Sequence, residues 1–152
     1  MSLDLSRRKL FTAGSGLALG VAMAAETQAA PGDNEKVLRA WFKLWAESRV
    51  WAPFDAILTD DFTFSSPNDQ DHISKAEFKR QCWDTQINLT GKFDLELMAS
   101  KGDQVFVKYL GRTIGGKTFR NVELHKVRNG QIASIECYFG GKMTFPSAVE
   151  SR

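Results

Sequence analysis

The order of apolar and polar positions predicts helices in the first half of the folded region. Between about residues 35 and 48, apolar side chains recur at the spacing of one helix face. These positions are Val37, Leu38, Trp41, Phe42, Leu44 and Trp45. A shorter second helix is predicted to open at Ala52-Pro53, because proline suits the first turn of a helix. A third is predicted over 75–83, where Ser74 and Glu77 have the spacing of a capping box.

The pattern changes from helical spacing to alternation farther along the chain, which indicates strands. Strands are predicted over 61–66, 93–99, 104–113, 117–127 and 131–139. Gly115-Gly116 and Asn129-Gly130 are pairs that suit tight hairpin turns. Helices followed by an antiparallel meander predict an α+β fold in which three N-terminal helices pack on the concave face of a curved antiparallel sheet.

The first residues have the features of an export signal. Arg7 and Arg8 precede an uncharged stretch over 11–25, which is shorter than the ~20 residues of a membrane-spanning helix. The segment Ser6–Phe11 resembles the twin-arginine consensus, and small residues predict cleavage near Ala29. We therefore expect a periplasmic protein with no stable membrane insertion after cleavage. The predicted organisation is a signal peptide over 1–29, a tether over 30–34, one domain over 35–145 and a tail over 146–152.

Charge and cysteine content narrow the function classes. The formal net charge is +2, and it falls to +1 without the leader, which carries three basic and two acidic residues. Basic and acidic residues are interleaved, so we expect no nucleic-acid partner. Cys82 and Cys137 are far apart in sequence, and both a disulfide and two buried free thiols stay open. They form no cluster with metal-ligand spacing, and we predict neither a metal nor a cofactor.

Two segments resemble a known superfamily. Leu58–Phe64 looks like the helix-to-strand junction of the cone-shaped fold shared by nuclear transport factor 2 (NTF2), SnoaL-like polyketide cyclases and ketosteroid isomerase. Gly130–Gly140 is similar to the final strand of ketosteroid isomerases. The resemblance covers nearly all of residues 35–145 and implies an NTF2-like, cone-shaped α+β barrel. It leaves the activity open, because this superfamily includes several enzyme types and non-catalytic binders.

The isomerase's reactive groups transfer poorly onto this sequence. The position of its aspartate base, directly before Pro67, is held by Ser66, which is no base at neutral pH without an activating partner. The position of its tyrosine falls near Phe42, which has no hydroxyl group. Only its protonated carboxyl group has a counterpart, Glu123. Steroid isomerisation by the family mechanism is therefore not expected.

Glu123 and His125 are the predicted catalytic pair. Strand alternation places Asn121, Glu123 and His125 on one face. In an apolar cavity a Glu and a His can share a proton and serve as acid and base. The structural alternative is an ion pair that fixes the strand or lines an oligomer interface.

The remaining candidates are ligand-binding residues in an aromatic pocket. Four tryptophans and eleven phenylalanines favour an apolar or ring-bearing small molecule. Tyr109 either points its hydroxyl group into the cavity or packs as a core aromatic. His72 lies in a polar loop that often lines the pocket mouth in this superfamily. The full predicted set is His72, Trp41, Trp83, Tyr109, Asn121, Cys137 and Phe139.

Three functions remain open from the sequence. The first is a SnoaL-like lyase, isomerase or cyclase in which Tyr109 or Asn121 donates a hydrogen bond to a developing oxyanion. The second is a binding module that holds a small molecule without chemistry. The third, a homodimer formed through the sheet face, is compatible with either.

Overall fold

The computed structural model describes residues 31–67 and 70–139, and of Pro31 and Phe139 only the backbone. The predicted leader, Ala30 and the predicted tail over 146–152 lie outside these residues. The elements are α1 (Pro31–Glu47), α2 (Trp51–Asp55), β1 (Leu58–Ser66), β2 (Gln70–Ser74), α3 (Lys75–Phe78), the π-helix π1 (Lys79–Trp83), α4 (Asp84–Gln86), β3 (Thr90–Lys101), β4 (Gln104–Thr113), β5 (Thr118–Arg128) and β6 (Gln131–Phe139).

Helix α1 begins earlier than the sequence pattern indicated. Pro31 is its first residue, and Asp33 lies in its first turn, where a negative charge complements the helix dipole. Asn34 is buried and donates from Nδ2 to the carbonyl oxygen of Gly102, 3.1 Å away. The tether predicted for 30–34 is therefore wrong over 31–34. Its proline and polar residues form the first helical turn and attach it to the β3–β4 turn.

The six strands form one mixed sheet in the order β2-β1-β6-β5-β4-β3. Every neighbouring pair is antiparallel except β1 and β6, which are parallel. The expectation of an all-antiparallel sheet is wrong at this one ladder. The predicted hairpin turn at Asn129-Gly130 is confirmed, because both residues have positive φ, as a tight hairpin of this type requires.

Strand β2 is an element that the sequence pattern did not predict. Its segment Gln70–Ser74 is almost wholly polar and exposed or half-buried. It pairs only with β1, through contacts such as Phe64 with Ile73. An edge strand of this kind packs against little of the core, so it needs no alternation of apolar residues.

The third helix is confirmed, but it is longer and less regular than predicted. Ser74 Oγ accepts a hydrogen bond from the backbone N–H of Glu77 at 3.3 Å, as the capping spacing indicated. After one turn, α3 changes into π1, which buries Cys82 and Trp83. The extra residue in a π-turn rotates the following side chains, and such segments are often found at functional sites.

The helices pack on one face of the curved sheet and give an α+β fold. The largest fully buried side chains come from both layers, and include Leu38, Phe54, Phe78, Val105, Val107 and Tyr109. Trp45 joins the layers by donating from Nε1 to Thr90 Oγ1 at 3.1 Å. Within the described residues, no helix is long and apolar enough to cross a membrane.

Candidate functional site

The inner face of β5 carries three polar side chains into the core. Asn121, Glu123 and His125 are buried and alternate with half-buried or exposed neighbours. The prediction that they share one face is confirmed. Burying three polar groups in one row is unfavourable unless they are hydrogen-bonded.

Glu123 is the centre of a buried hydrogen-bond network. Tyr109 Oη donates to its Oε1 at 2.7 Å, and His125 Nε2 lies 2.7 Å from its Oε2. Cys137 Sγ donates weakly to Oε1 over 3.7 Å. The ladders explain this convergence, because Cys137 is directly opposite Glu123 on β6, and Tyr109 is opposite Asn121 on β4.

Asn121 extends the network by one bond. Its Nδ2 donates to Tyr109 Oη at 3.1 Å. Since the Tyr109 proton points to Glu123, the lone pairs of Oη are available to accept from Asn121. The donors therefore run in one direction, from Asn121 through Tyr109 to the carboxylate.

The Glu123 carboxylate also determines the tautomer assigned to His125. An ionised carboxylate only accepts hydrogen bonds, so the proton of a neutral His125 is assigned to Nε2, and Nδ1 carries the lone pair. Within residues 31–67 and 70–139, His125 Nδ1 and Asn121 Oδ1 have no hydrogen-bond partner, although both are buried.

Burial keeps the other acidic groups of the site protonated. Desolvation, with the Glu123 carboxylate beside it, raises the pKa of Tyr109 well above its ordinary value. The same two causes raise the pKa of Cys137. Burial raises the pKa of Cys82 to about 12. Neither thiol is therefore an activated nucleophile, and both cysteines are free.

Aromatic rings surround the network. The Trp41 ring lies 5.8 Å from the His125 ring, edge to face, and the Phe42 ring lies 6.2 Å from it. Phe42 also packs 4.9 Å from the Tyr109 ring, and Phe93 lies 5.3 Å from Tyr109 and 5.2 Å from Phe42. The polar groups are thus held between α1 and the sheet, in an apolar setting that strengthens their mutual electrostatics.

Two of the predicted ligand-binding residues lie elsewhere. Trp83 is buried among the helix aromatics, with its ring 4.4 Å from Phe54. His72 is on edge strand β2, where its Nδ1 lies 2.6 Å from Asp71 and 73% of its side chain is exposed. The side chain of Phe139 is outside the described part of the chain. The ligand-binding role assigned to each stays a prediction.

A second polar cluster joins π1 to the end of β1, and the sequence pattern did not reveal it. Gln70 Nε2 donates to Gln81 Oε1 at 2.8 Å, and Ser66 Oγ donates to Gln70 Oε1 at 3.0 Å. Gln81 Nε2 donates in turn to Glu77. Only the i, i+4 spacing of Glu77 and Gln81 was visible in the sequence, because the other contacts depend on β2.

This arrangement of helices on a curved sheet is that of an NTF2-like α+β protein. More specifically, the chain belongs to the SnoaL-like domain family, whose model matches residues 38–135. No curated protein matches the sequence significantly.

Solved structures with the same fold are distant in sequence. An NTF2-like protein from Anabaena variabilis has 21% identity and a TM-score of 0.59 over 78% of this chain and 98% of its own. An NTF2-like protein of unknown function from Cytophaga hutchinsonii has 18% identity and a TM-score of 0.59 over 70% and 89%. An LEH-like epoxide hydrolase from M. tuberculosis has 15% identity and a TM-score of 0.57 over 72% and 84%. At these identities the likeness establishes the fold alone.

Proposed function

We propose that this SnoaL-like protein is exported and binds a small apolar or ring-bearing molecule beside Glu123 and His125, which transfer a proton to and from it. The observation that carries the proposal is the buried Tyr109–Glu123–His125 network, in which Nδ1 of His125 has no hydrogen-bond partner among the described residues. A histidine held by a carboxylate at one nitrogen and free at the other is arranged as a general base.

The hydrogen bonds give Glu123 and His125 different roles in the proposed proton transfer. Glu123 accepts from Nε2–H, so it fixes the ring and stabilises the imidazolium that forms when Nδ1 takes a proton. The electron pair left on the ligand then moves to a new bond or expels a leaving group, and Nδ1 returns the proton. The same series of proton-transfer steps can take place in a lyase, an isomerase or a cyclase.

The proposal gives Tyr109 a different role from the oxyanion donor that its hydroxyl group suggested in the sequence. Its proton is donated to Glu123, and therefore points away from a ligand. The proposal thus assigns Tyr109 to positioning the carboxylate and gives it no oxyanion contact.

Isotope exchange tests the chemical part of the proposal. Native mass spectrometry of the mature protein from periplasm is expected to reveal a bound small molecule. That molecule, once identified, is incubated with the protein in D2O, and deuterium at carbon reports proton transfer. Glu123→Gln should slow exchange about 100-fold or more. The exposed Glu136→Gln on β6 should match wild type. Equal exchange in both variants would remove Glu123 from the mechanism.

A binding-only function is the second candidate. It is favoured by the complete burial of the His125 side chain under the rings of Trp41 and Phe42. In this case the network orients the ligand and no bond changes. A bound molecule that acquires no deuterium in the presence of wild-type protein would select this function. Protein free of any bound molecule would contradict both.

Export rests on the leader, which is outside the described residues. Replacing Arg7 and Arg8 by lysine should leave uncleaved precursor inside the cell, because the paired arginines are the feature that resembles the twin-arginine consensus. Immunoblots of periplasmic and cytoplasmic fractions measure this. Normal cleavage and export of the double variant would contradict the route.

The homodimer is proposed from the outer face of the sheet. Leu97, Lys108, Val122 and Tyr138 form a cross-strand row there, and Leu97 and Tyr138 are 51% and 50% exposed. Apolar or aromatic side chains at three of these four positions favour pairing of the sheet face with the same face of a second copy.

A further inference from the structure

The buried network has an excess of hydrogen-bond acceptors. Tyr109 Oη donates to Glu123, and Asn121 Nδ2 donates to Tyr109. His125 Nε2, which we assign as the protonated nitrogen, lies 2.7 Å from the other oxygen of Glu123. The two buried atoms of the network without a partner among the described residues are Asn121 Oδ1 and His125 Nδ1. With Nε2 protonated, both of these atoms can only accept.

An acceptor-only site discriminates between ligands by the group they present. A hydroxyl or N–H group satisfies Asn121 Oδ1 or His125 Nδ1. A carbonyl or ether oxygen would instead bring lone pairs against lone pairs, and a carboxylate would also meet the negative charge of Glu123. Buried polar atoms are almost always satisfied by protein, water or ligand, so an N–H or O–H group is the matching partner for these two.

We propose that the interior site selects ring-bearing molecules that donate a hydrogen bond: alcohols, phenols and N–H heterocycles. The inference rests on the proposed binding of a small ring-bearing molecule and names its chemical class. Trp41 and Phe42, whose rings flank His125, contact the apolar part of the ligand. Asn121 Oδ1 or His125 Nδ1 accepts a hydrogen bond from the donor group of the ligand.

A pair of probes of equal shape tests the selectivity. Indole and benzofuran are bicyclic rings of nearly the same size, and only indole has an N–H donor. Titration of the mature wild-type protein, followed by calorimetry, should give a dissociation constant about 10-fold or more lower for indole, because benzofuran leaves a buried acceptor unpaired. Cyclohexanol and cyclohexanone provide a second pair, for which the same order is expected.

Nitrogen NMR detects the contact between the ligand's donor group and His125 Nδ1 directly. The chain has two histidines, so a His72→Gln background leaves His125 as the only imidazole signal. The free protein should show protonated Nε2 and bare Nδ1. Indole should shift the Nδ1 resonance, and benzofuran should leave it nearly unchanged.

One variant separates the two acceptors. Asn121→Leu removes Oδ1. Because the one N–H group of indole is expected on His125 Nδ1, this variant should keep the preference for indole, as the exposed Asn88→Leu should. A lost preference in Asn121→Leu alone would place the donor on Oδ1 and contradict the Nδ1 contact. Near-ultraviolet circular dichroism checks that the variant is folded, and the probe pairs on wild type decide the question if it is not.

The outcomes also separate this inference from the proposed function. Equal affinities within both probe pairs, with no Nδ1 shift, would overturn donor selection: buried water then satisfies the two acceptors, and small-molecule binding itself survives. No binding of any of the four probes would overturn donor selection and count against a pocket for ring-bearing molecules.

Discussion

At the scale of single residues, the Glu123 carboxylate determines how its neighbours are oriented. It accepts from Tyr109 on one oxygen and contacts His125 through the other. A buried carboxylate is strongly unfavourable without such donors. Tyr109 is a fully buried core aromatic whose hydroxyl group donates to this carboxylate.

Removing the tyrosine hydroxyl should destabilise the protein. In Tyr109→Phe the Oε1 atom of Glu123 loses its strongest donor, and a hydrogen bond to a charged group contributes about 1.5–3 kcal/mol to the free energy of unfolding. Tyr138→Phe is the matched control, because that hydroxyl bonds Glu136 on the exposed side of the sheet, and it should cost within about 0.5 kcal/mol. Urea unfolding measures both. Equal losses would contradict the buried network.

The two tyrosines should also ionise in separate steps. A hydrogen bond to the Glu136 carboxylate raises the pKa of exposed Tyr138, but the burial of Tyr109 raises its pKa much further. The folded state favours the neutral Tyr109 phenol. Its contribution to stability is therefore present below about pH 10, the ordinary pKa of tyrosine, and is lost as pH rises above that value.

Absorbance at alkaline pH measures these steps. Tyr138→Phe should lose the earlier step, and the remaining ionisation should coincide with unfolding followed by circular dichroism. A folded Tyr138→Phe protein that ionises near pH 10 would show that Tyr109 is accessible.

The sequence predicted part of this site, for reasons that are local. Alternation along one strand was enough to place Asn121, Glu123 and His125 together. The contact between Tyr109 and Glu123 depends on the register between β4 and β5, which no single strand encodes. That His125 Nδ1 has no partner within residues 31–67 and 70–139 depends both on the alternation along β5 and on this register.

At the scale of elements, the β4–β5 hairpin contains a close contact between a glycine and an aromatic ring. Gly111 and Phe119 face each other across the ladder, and a methyl group on Gly111 would lie 2.6 Å from Cε1 of the Phe119 ring. Carbon atoms pack best at about 3.5–4.0 Å. The ring therefore occupies the space that a side chain at Gly111 would need.

Gly111→Ala should lower the free energy of unfolding by about 1–3 kcal/mol, the usual cost of overpacking. Gly115→Ala is the control, because its methyl group would meet only Thr113 Oγ1 at 3.8 Å. Replacing the ring with a smaller side chain, in the double variant Gly111→Ala/Phe119→Leu, should recover part of the lost free energy of unfolding. Chemical denaturation checks all three proteins, and an unaltered Gly111→Ala variant would show that Phe119 moves aside freely.

The elements missed from the sequence share a physical cause. Strand β2 has no apolar alternation because it is an edge strand, and π1 continues a helical pattern with one additional residue per turn. The parallel ladder between β1 and β6 joins segments separated by most of the domain. Local periodicity carries information about helix faces and strand faces, and none about these long-range pairings.

At the scale of the whole molecule, the sheet separates two surfaces of different composition. Its inner face holds the polar network beneath α1, and its outer face exposes the row from Leu97 to Tyr138. A second copy on the outer face would cover that row and leave the interior unchanged. Dimer formation and ligand binding are therefore expected to be separable by mutation.

Charged substitutions on the outer face should produce monomers. Leu97→Asp or Phe106→Asp would place a carboxylate within the interface of each copy, where an unpaired charge is strongly unfavourable. Light scattering after size exclusion should give twice the chain mass for wild type and one chain mass for each variant. Val50→Asp changes a more exposed apolar residue between α1 and α2 and should remain dimeric. A monomeric wild-type protein, or dimers that persist in both face variants, would place the partner surface elsewhere.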